Sequence, residues 1–169
     1  MALALGGCGR HAPAPNPTGP VGTLTVTSEA FADGAPIPTD YTCTMRIPPL
    51  SWSGDLRGAA SLAVVVDDPD APNGDFVHWV VLDLPTSTSK LTGESSISAA
   101  HEGNSSEGQR GWASMCPPPG TGTHHYRFTV YALSTPTGLP DGTEPTRAIK
   151  VIDARTLAKG TVTGTLVAS

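Results

Sequence analysis

The sequence predicts a mostly β domain, and three observations carry that expectation. Short β-branched or aromatic runs recur along the chain, 19 Gly and 17 Pro supply many turns, and a clear helical spacing of apolar residues comes only near the C-terminus. A length of 169 residues suits one domain around a single core. The formal net charge is −5, with ten Lys and Arg scattered along the chain. That pattern argues against a nucleic-acid partner, because phosphate neutralisation needs clustered cations. No apolar run reaches membrane-spanning length.

Residues 1–8 are small and apolar and end in Leu5-Gly6-Gly7-Cys8. This resembles the lipobox at which bacterial lipoprotein precursors are cleaved and their cysteine acylated. Only part of such a signal is present, since no basic segment precedes the short apolar one. Cys8 is the expected lipidation site, and the expected location is the cell membrane, lipid-anchored and extracytoplasmic. The competing reading is an unstructured tail with a free thiol. Residues 9–22 are rich in Pro, Gly and Ala and are expected to form a flexible linker. The folded domain is then expected over residues 23–169.

Residues 23–28 alternate polar and apolar and predict a half-buried first strand. Pro48-Pro49 cannot sit in a central strand, so the next segment is expected at an edge or in a loop, setting down Leu50 and Trp52 as anchors. Residues 62–66 (LAVVV) are short, β-branched and continuously apolar, which predicts a strand buried on both faces. Asp67, Asp68 and Asp70 follow, interleaved with Pro69 and Pro72, and are expected to hold carboxylates in a rigid loop. Residues 76–82 predict the returning strand, with His78 as its one imidazole. Residues 86–111 are polar and Gly/Ser-rich and predict a long loop, with one helical turn near residues 96–101. Residues 127–133 alternate and are aromatic, predicting a strand entered through His124, His125 and Tyr126. Glu144-Pro145 marks a helix start, with Ile149, Ile152 and Leu157 at helical spacing and Gly160 as the expected stop. A last strand is expected over residues 160–167.

Three separated blocks resemble one family. They are Tyr41-Thr42-Cys43 with Pro48-Pro49-Leu50-Ser51-Trp52, then Asp68-Pro69-Asp70-Ala71-Pro72 with Phe76 and His78-Trp79, then residues 116–126 (CPPPGTGTHHY). Together they are similar to the phosphatidylethanolamine-binding proteins, in the bacterial branch called Raf-kinase-inhibitor-like. The resemblance implies a central antiparallel sheet packed on a smaller sheet, with a C-terminal helix. It also implies a small anion-binding pocket formed by Asp68, Asp70, Pro72, His78, Pro118, Gly120, His124 and Tyr126. Imidazole and phenol groups would donate to phosphate oxygens while the carboxylates orient the imidazoles. His125 stands where many members carry Arg and is expected only to support the site. Two departures stand out: Trp112-Ala113-Ser114-Met115 replaces a tyrosine-glycine-glycine stretch, and the loop after Cys43 is shorter than usual.

The expected function is binding of a small anion, such as phosphate or phosphoethanolamine, without catalysis, cofactor or metal. Affinity is expected to be higher near pH 6 than near pH 8 through protonated imidazole. A homodimer is compatible with this reading. With Cys8 consumed by acylation, export would leave Cys43 and Cys116 as a pair for a disulfide. Two other classes compete. One is a protein-interaction module that inhibits a kinase or protease, although no sequence feature marks its interface. The other is a metal-dependent hydrolase using His78, His124 and an Asp, although no HxH or HxxxH spacing supports it.

Overall fold

The computed structural model describes residues 21–93 and 97–168. Its strands are β1 (Gly22–Thr27), β2 (Leu50–Gly54), β3 (Ser61–Asp68), β4 (Phe76–Leu84), β5 (Lys90–Leu91), β6 (His101–Glu102), β7 (Thr123–Leu133) and β8 (Thr156–Val167); the described residues also form a short 3-10 helix (Thr39–Tyr41) and one α-helix, α1 (Pro145–Asp153), before β8. They form one sheet in the order β5-β2-β1-β8-β7-β3-β4-β6. The central strands β8, β7, β3 and β4 pair antiparallel.

The apolar run of β3 lies at the centre because it has no polar face to offer water. Leu62, Val64 and Val66 enter one core cluster and Ala63 and Val65 the other. The first cluster includes Leu24 and Val26 of β1, Leu50 and Trp52 of β2 and Leu91 of β5, so the short-strand ladder folds over that face. The second is closed by Leu139 and by Ala148 and Ile152 of α1. The result is three layers around a central sheet buried on both faces. The smaller sheet expected from the sequence is this ladder, but it is joined to the centre. At Gly22 and Thr23, β1 pairs parallel with Ala158 and Lys159 of β8.

Several boundaries differ from expectation. Gly22 belongs to β1 rather than to a linker, while residues 1–20, with Cys8, lie outside the described residues. Asp67 and Asp68 belong to β3, where they pair with Val77 and Phe76. The polar stretch 86–111 contributes two two-residue strands, and its turn is closed by the Ala100 N–H donating to Ile97 O at 2.8 Å.

The helix ends at Asp153, and Gly160 is no stop but lies inside β8. Packing explains that glycine: a Cβ there would lie 2.0 Å from Leu24 O, where β1 crosses β8. Glycine permits this approach of two backbones. The true end of the helix is covered instead by Thr156, whose hydroxyl donates to Ile152 O at 2.8 Å.

Candidate functional site

One end of the central sheet gathers the polar residues. Asp68 closes β3, His124 and Tyr126 open β7, and His78 lies near the start of β4. Asp68, His124 and Tyr126 alternate onto the face that carries Val66 and Phe128. His78 reaches that face by a different route. Val66 pairs with Trp79 and Asp67 with Val77, so His78 is the extra residue of a β-bulge. Val77 consequently packs on the helix side and Trp79 on the opposite side. His78 has its own partner segment, because Ala113 N donates to His78 O at 2.8 Å and His78 Nδ1 donates to Ala113 O at 3.0 Å. Ring contacts with Phe76, Trp112 and Tyr126 fix the imidazole plane.

Asp68 and His124 form a buried pair, 3% and 0% exposed, with Oδ2 and Nδ1 2.6 Å apart. The other Asp68 oxygen accepts from Asp70 N at 2.9 Å, which bends the chain out of the strand. His124 Nε2 lies 2.7 Å from the Thr121 hydroxyl, which itself donates to Pro118 O at 2.6 Å. Both ring nitrogens of His124 are therefore held by protein groups, and the ring ties the proline turn to β3.

The cavity bounded by these groups has a volume of about 490 Å³. Asp68, Pro72, His78, Pro118, His124 and Tyr126 line it, six of the eight expected residues. Asp70 and Gly120 do not. Asp70 turns outward and accepts from His125 Nδ1 at 2.7 Å and His125 N at 2.9 Å, because the Asp68 turn has already broken the strand alternation. The bonded His125 imidazole holds the Asp70 carboxyl below its ordinary range. Gly120 sits at the exposed tip of the proline turn with φ +81.

The lining also includes Asp75, Ser106 and Glu107, which the sequence did not single out, and Ser114 of the substituted stretch 112–115. Ser106 and Glu107 come from the polar stretch 86–111, where no periodicity marks individual residues. Its unusual length was the one available signal. Val77 holds that loop, donating from N to Ser106 Oγ at 2.8 Å while Val77 O accepts from Ser106 N at 2.8 Å.

Cys43 and Cys116 form a disulfide with Cα atoms 4.5 Å apart. Cys116 lines the cavity, so the bond ties the loop after β1 to the cavity wall. The substituted stretch 112–115 keeps the wall intact: Ala113 supplies only backbone atoms to His78, Trp112 packs edge-on to Trp79, and Met115 O accepts from Cys43 N at 2.8 Å.

A larger cleft of about 700 Å³ runs between α1 and residues 105–108. It shares Asp75 and Ser106 with the first but contains no histidine or tyrosine, so size and chemistry point to different places. We place the site where the chemistry is.

Two cavity groups have no partner in the protein. The buried side-chain polar atoms left unpaired among the described residues are Thr42 Oγ1, Trp52 Nε1, Ser61 Oγ and Trp112 Nε1. His78 Nε2 and the Tyr126 hydroxyl are not among them, although both residues are buried, at 5% and 1% exposure. Both atoms therefore still meet open space, which for these two side chains is the cavity. Burial, and then the nearby Asp68 charge, pushes the Tyr126 phenol above its ordinary range, so it remains a donor. Burial outweighs the hydrogen bond to Ala113 O and the attraction of Asp68, Glu107 and Asp67 at His78 and lowers its value. Among the described residues no group of three or more His, Cys, Asp or Glu side chains is arranged to hold a metal.

Fold and cavity define a class of protein: a central antiparallel sheet, covered by a helix and a short-strand ladder, with a small polar cavity at one strand end. The sequence matches the family described as "Phosphatidylethanolamine-binding protein" over residues 27–167. The chain belongs to that family. It is 38% identical to "Putative lipoprotein LppC" of Mycobacterium tuberculosis over 98% of this chain and 90% of that one. It is 46% identical to UPF0098 protein Mb1945c of Mycobacterium bovis, over 88% and 72%. Among solved structures, the "Putative PhosphatidylEthanolamine-Binding Protein (PEBP) Homolog CT736" of Chlamydia trachomatis superposes with a TM-score of 0.78 at 33% identity, covering 85% of this chain and 97% of that one.

Proposed function

We propose that this domain binds a small anion of the phosphate type in the cavity beside His78 and Tyr126, and that it does so outside the cytoplasm, anchored through an acylated Cys8. The observation that carries the first part is that two buried side chains, His78 and Tyr126, each turn a polar atom without a protein partner toward the cavity. A cavity lined by two such groups offers a polar guest hydrogen bonds that no protein group takes up. The Tyr126 hydroxyl donates to a ligand oxygen, while the Asp68–His124 pair and the proline turn hold the walls. No residue is assigned a catalytic role. The lipoprotein name of the Mycobacterium tuberculosis relative supports the anchor.

Titration calorimetry of the full chain with phosphoethanolamine tests the site. Tyr126→Phe removes one oxygen that no protein group uses, so it should weaken binding about tenfold or more while unfolding stays within about 0.5 kcal/mol of wild type. Equal affinity of the two proteins would refute the assignment. For the anchor, Cys8→Ala expressed in a bacterial host should leave the membrane fraction in which the wild type is found.

A further inference from the structure

The two unpaired groups are chemically opposite. His78 Nδ1 faces the Ala113 carbonyl, which can only accept, so Nδ1 carries the proton and Nε2 of the neutral ring presents a lone pair to the cavity. The charged form of this ring is disfavoured by its setting: it packs between Phe76, Trp112 and Tyr126, and burial outweighs the opposing pull of the Ala113 carbonyl and of Asp68, Glu107 and Asp67. The Tyr126 hydroxyl, by contrast, is a donor. The His78 and Tyr126 rings meet edge to face with centroids 5.2 Å apart, and both line the same cavity. The remaining charges are unfavourable for a highly charged anion. Asp68, Asp75 and Glu107 line the cavity, and no Lys or Arg among the described residues does.

Resting on the anion-binding reading above, we propose that the cavity selects the protonation state of its ligand: it takes a phosphate monoester, or free phosphate, that still carries a hydroxyl. The ligand P–OH donates to His78 Nε2, and the Tyr126 hydroxyl donates to an unprotonated phosphate oxygen. A dianion offers nothing to His78 and meets three carboxylates. A phosphodiester, the form of phosphate inside most phospholipid head groups, has no proton to donate and is rejected on the same ground. Sites built to pair with a hydroxyl discriminate strongly against analogues lacking it, because their own polar group is then left unpaired.

The test compares phosphoethanolamine, its diester glycerophosphoethanolamine, and sulfate, titrated into the full chain at pH 6 and pH 8. A phosphate monoester loses its second proton near pH 6, so its affinity should fall more than tenfold from pH 6 to pH 8. The diester and sulfate should bind at least tenfold more weakly than the monoester at pH 6 and change little with pH. Vesicles carrying phosphatidic acid, a lipid monoester, form a competing arm. Displacement of phosphoethanolamine would assign the hydroxyl-bearing phosphate to a lipid, and no displacement to a soluble monoester; both results support the selection. Diester or sulfate binding as tight as the monoester would overturn it, as would sulfate affinity rising in parallel on acidification, since protein protonation would then govern. Either result would leave the anion-binding reading standing. Binding of none of the three anions at either pH would overturn both.

Discussion

Asp68 and His124 are 56 positions apart in sequence and 2.6 Å apart in space, both buried. The contact joins the end of β3 to the start of β7 and, through Thr121, to the proline turn. Asp68→Asn preserves the shape and removes the charge. Hydrogen bonds to charged groups are worth about 1.5–3 kcal/mol, and urea unfolding of this variant should show a loss of that order. An unchanged midpoint would mean that the pair contributes nothing to the fold.

His78 gives stability a pH dependence of known sign. Burial places its folded value below the ordinary histidine value of about 6.5. On acidification the unfolded chain takes up this proton first, so the contribution is complete above about pH 6.5 and is lost as pH falls through the folded value. His78→Gln, neutral throughout, should flatten the melting temperature of the variant relative to wild type between about pH 5 and 7. Parallel curves for the two proteins would disprove the link.

The Cys43–Cys116 bond spans 73 residues. Replacing both cysteines by Ala should cost about 2–5 kcal/mol. Because Cys116 belongs to the cavity wall, phosphoethanolamine affinity should fall as well. Full affinity in a destabilised variant would restrict the bond to a stabilising role.

Gly160 tests the crossing of β1 over β8. A methyl group there has only backbone to meet at Leu24, and backbone cannot swing aside as a side chain can. Gly160→Ala should lose about 1–3 kcal/mol or more. Gly34→Ala offers the control, since its Cβ would have nothing within 4 Å and only its φ of +76 would be strained.

Much of the fold was legible because burial writes itself into composition. The unbroken run 62–66 can only be a strand covered on both sides, and Pro145 can open a helix but not continue one. The candidate site was legible through blocks rather than periodicity: Asp68 and Pro72 of DPDAP, His78 and Pro118 of the proline turn line one cavity, while Asp70 and Gly120 do not. Other features left no mark. A strand apolar on both faces has no alternation for a bulge to break, so nothing in residues 76–82 announced that His78 is supernumerary. Asp68 and Asp70, two apart, share a strand face only if the strand continues, and the turn made by Asp68 itself ends it. Gly160 read as a stop because its reason is a neighbour 136 positions away, Leu24, which no local pattern contains.

The bulge separates what the sheet needs from what the cavity needs. Val77 and Trp79 each serve a packed layer, whereas His78 stands between them as an inserted letter, outside the pairing of the two strands. Excising it would let the ladder run on in ordinary pleat, a sounder sheet with a mute cavity. Replacing the histidine would disturb the Trp112 and Tyr126 rings that pack on it but not the pairing of Val77 and Trp79, so what the cavity presents can be altered while the register of β3 and β4 stays.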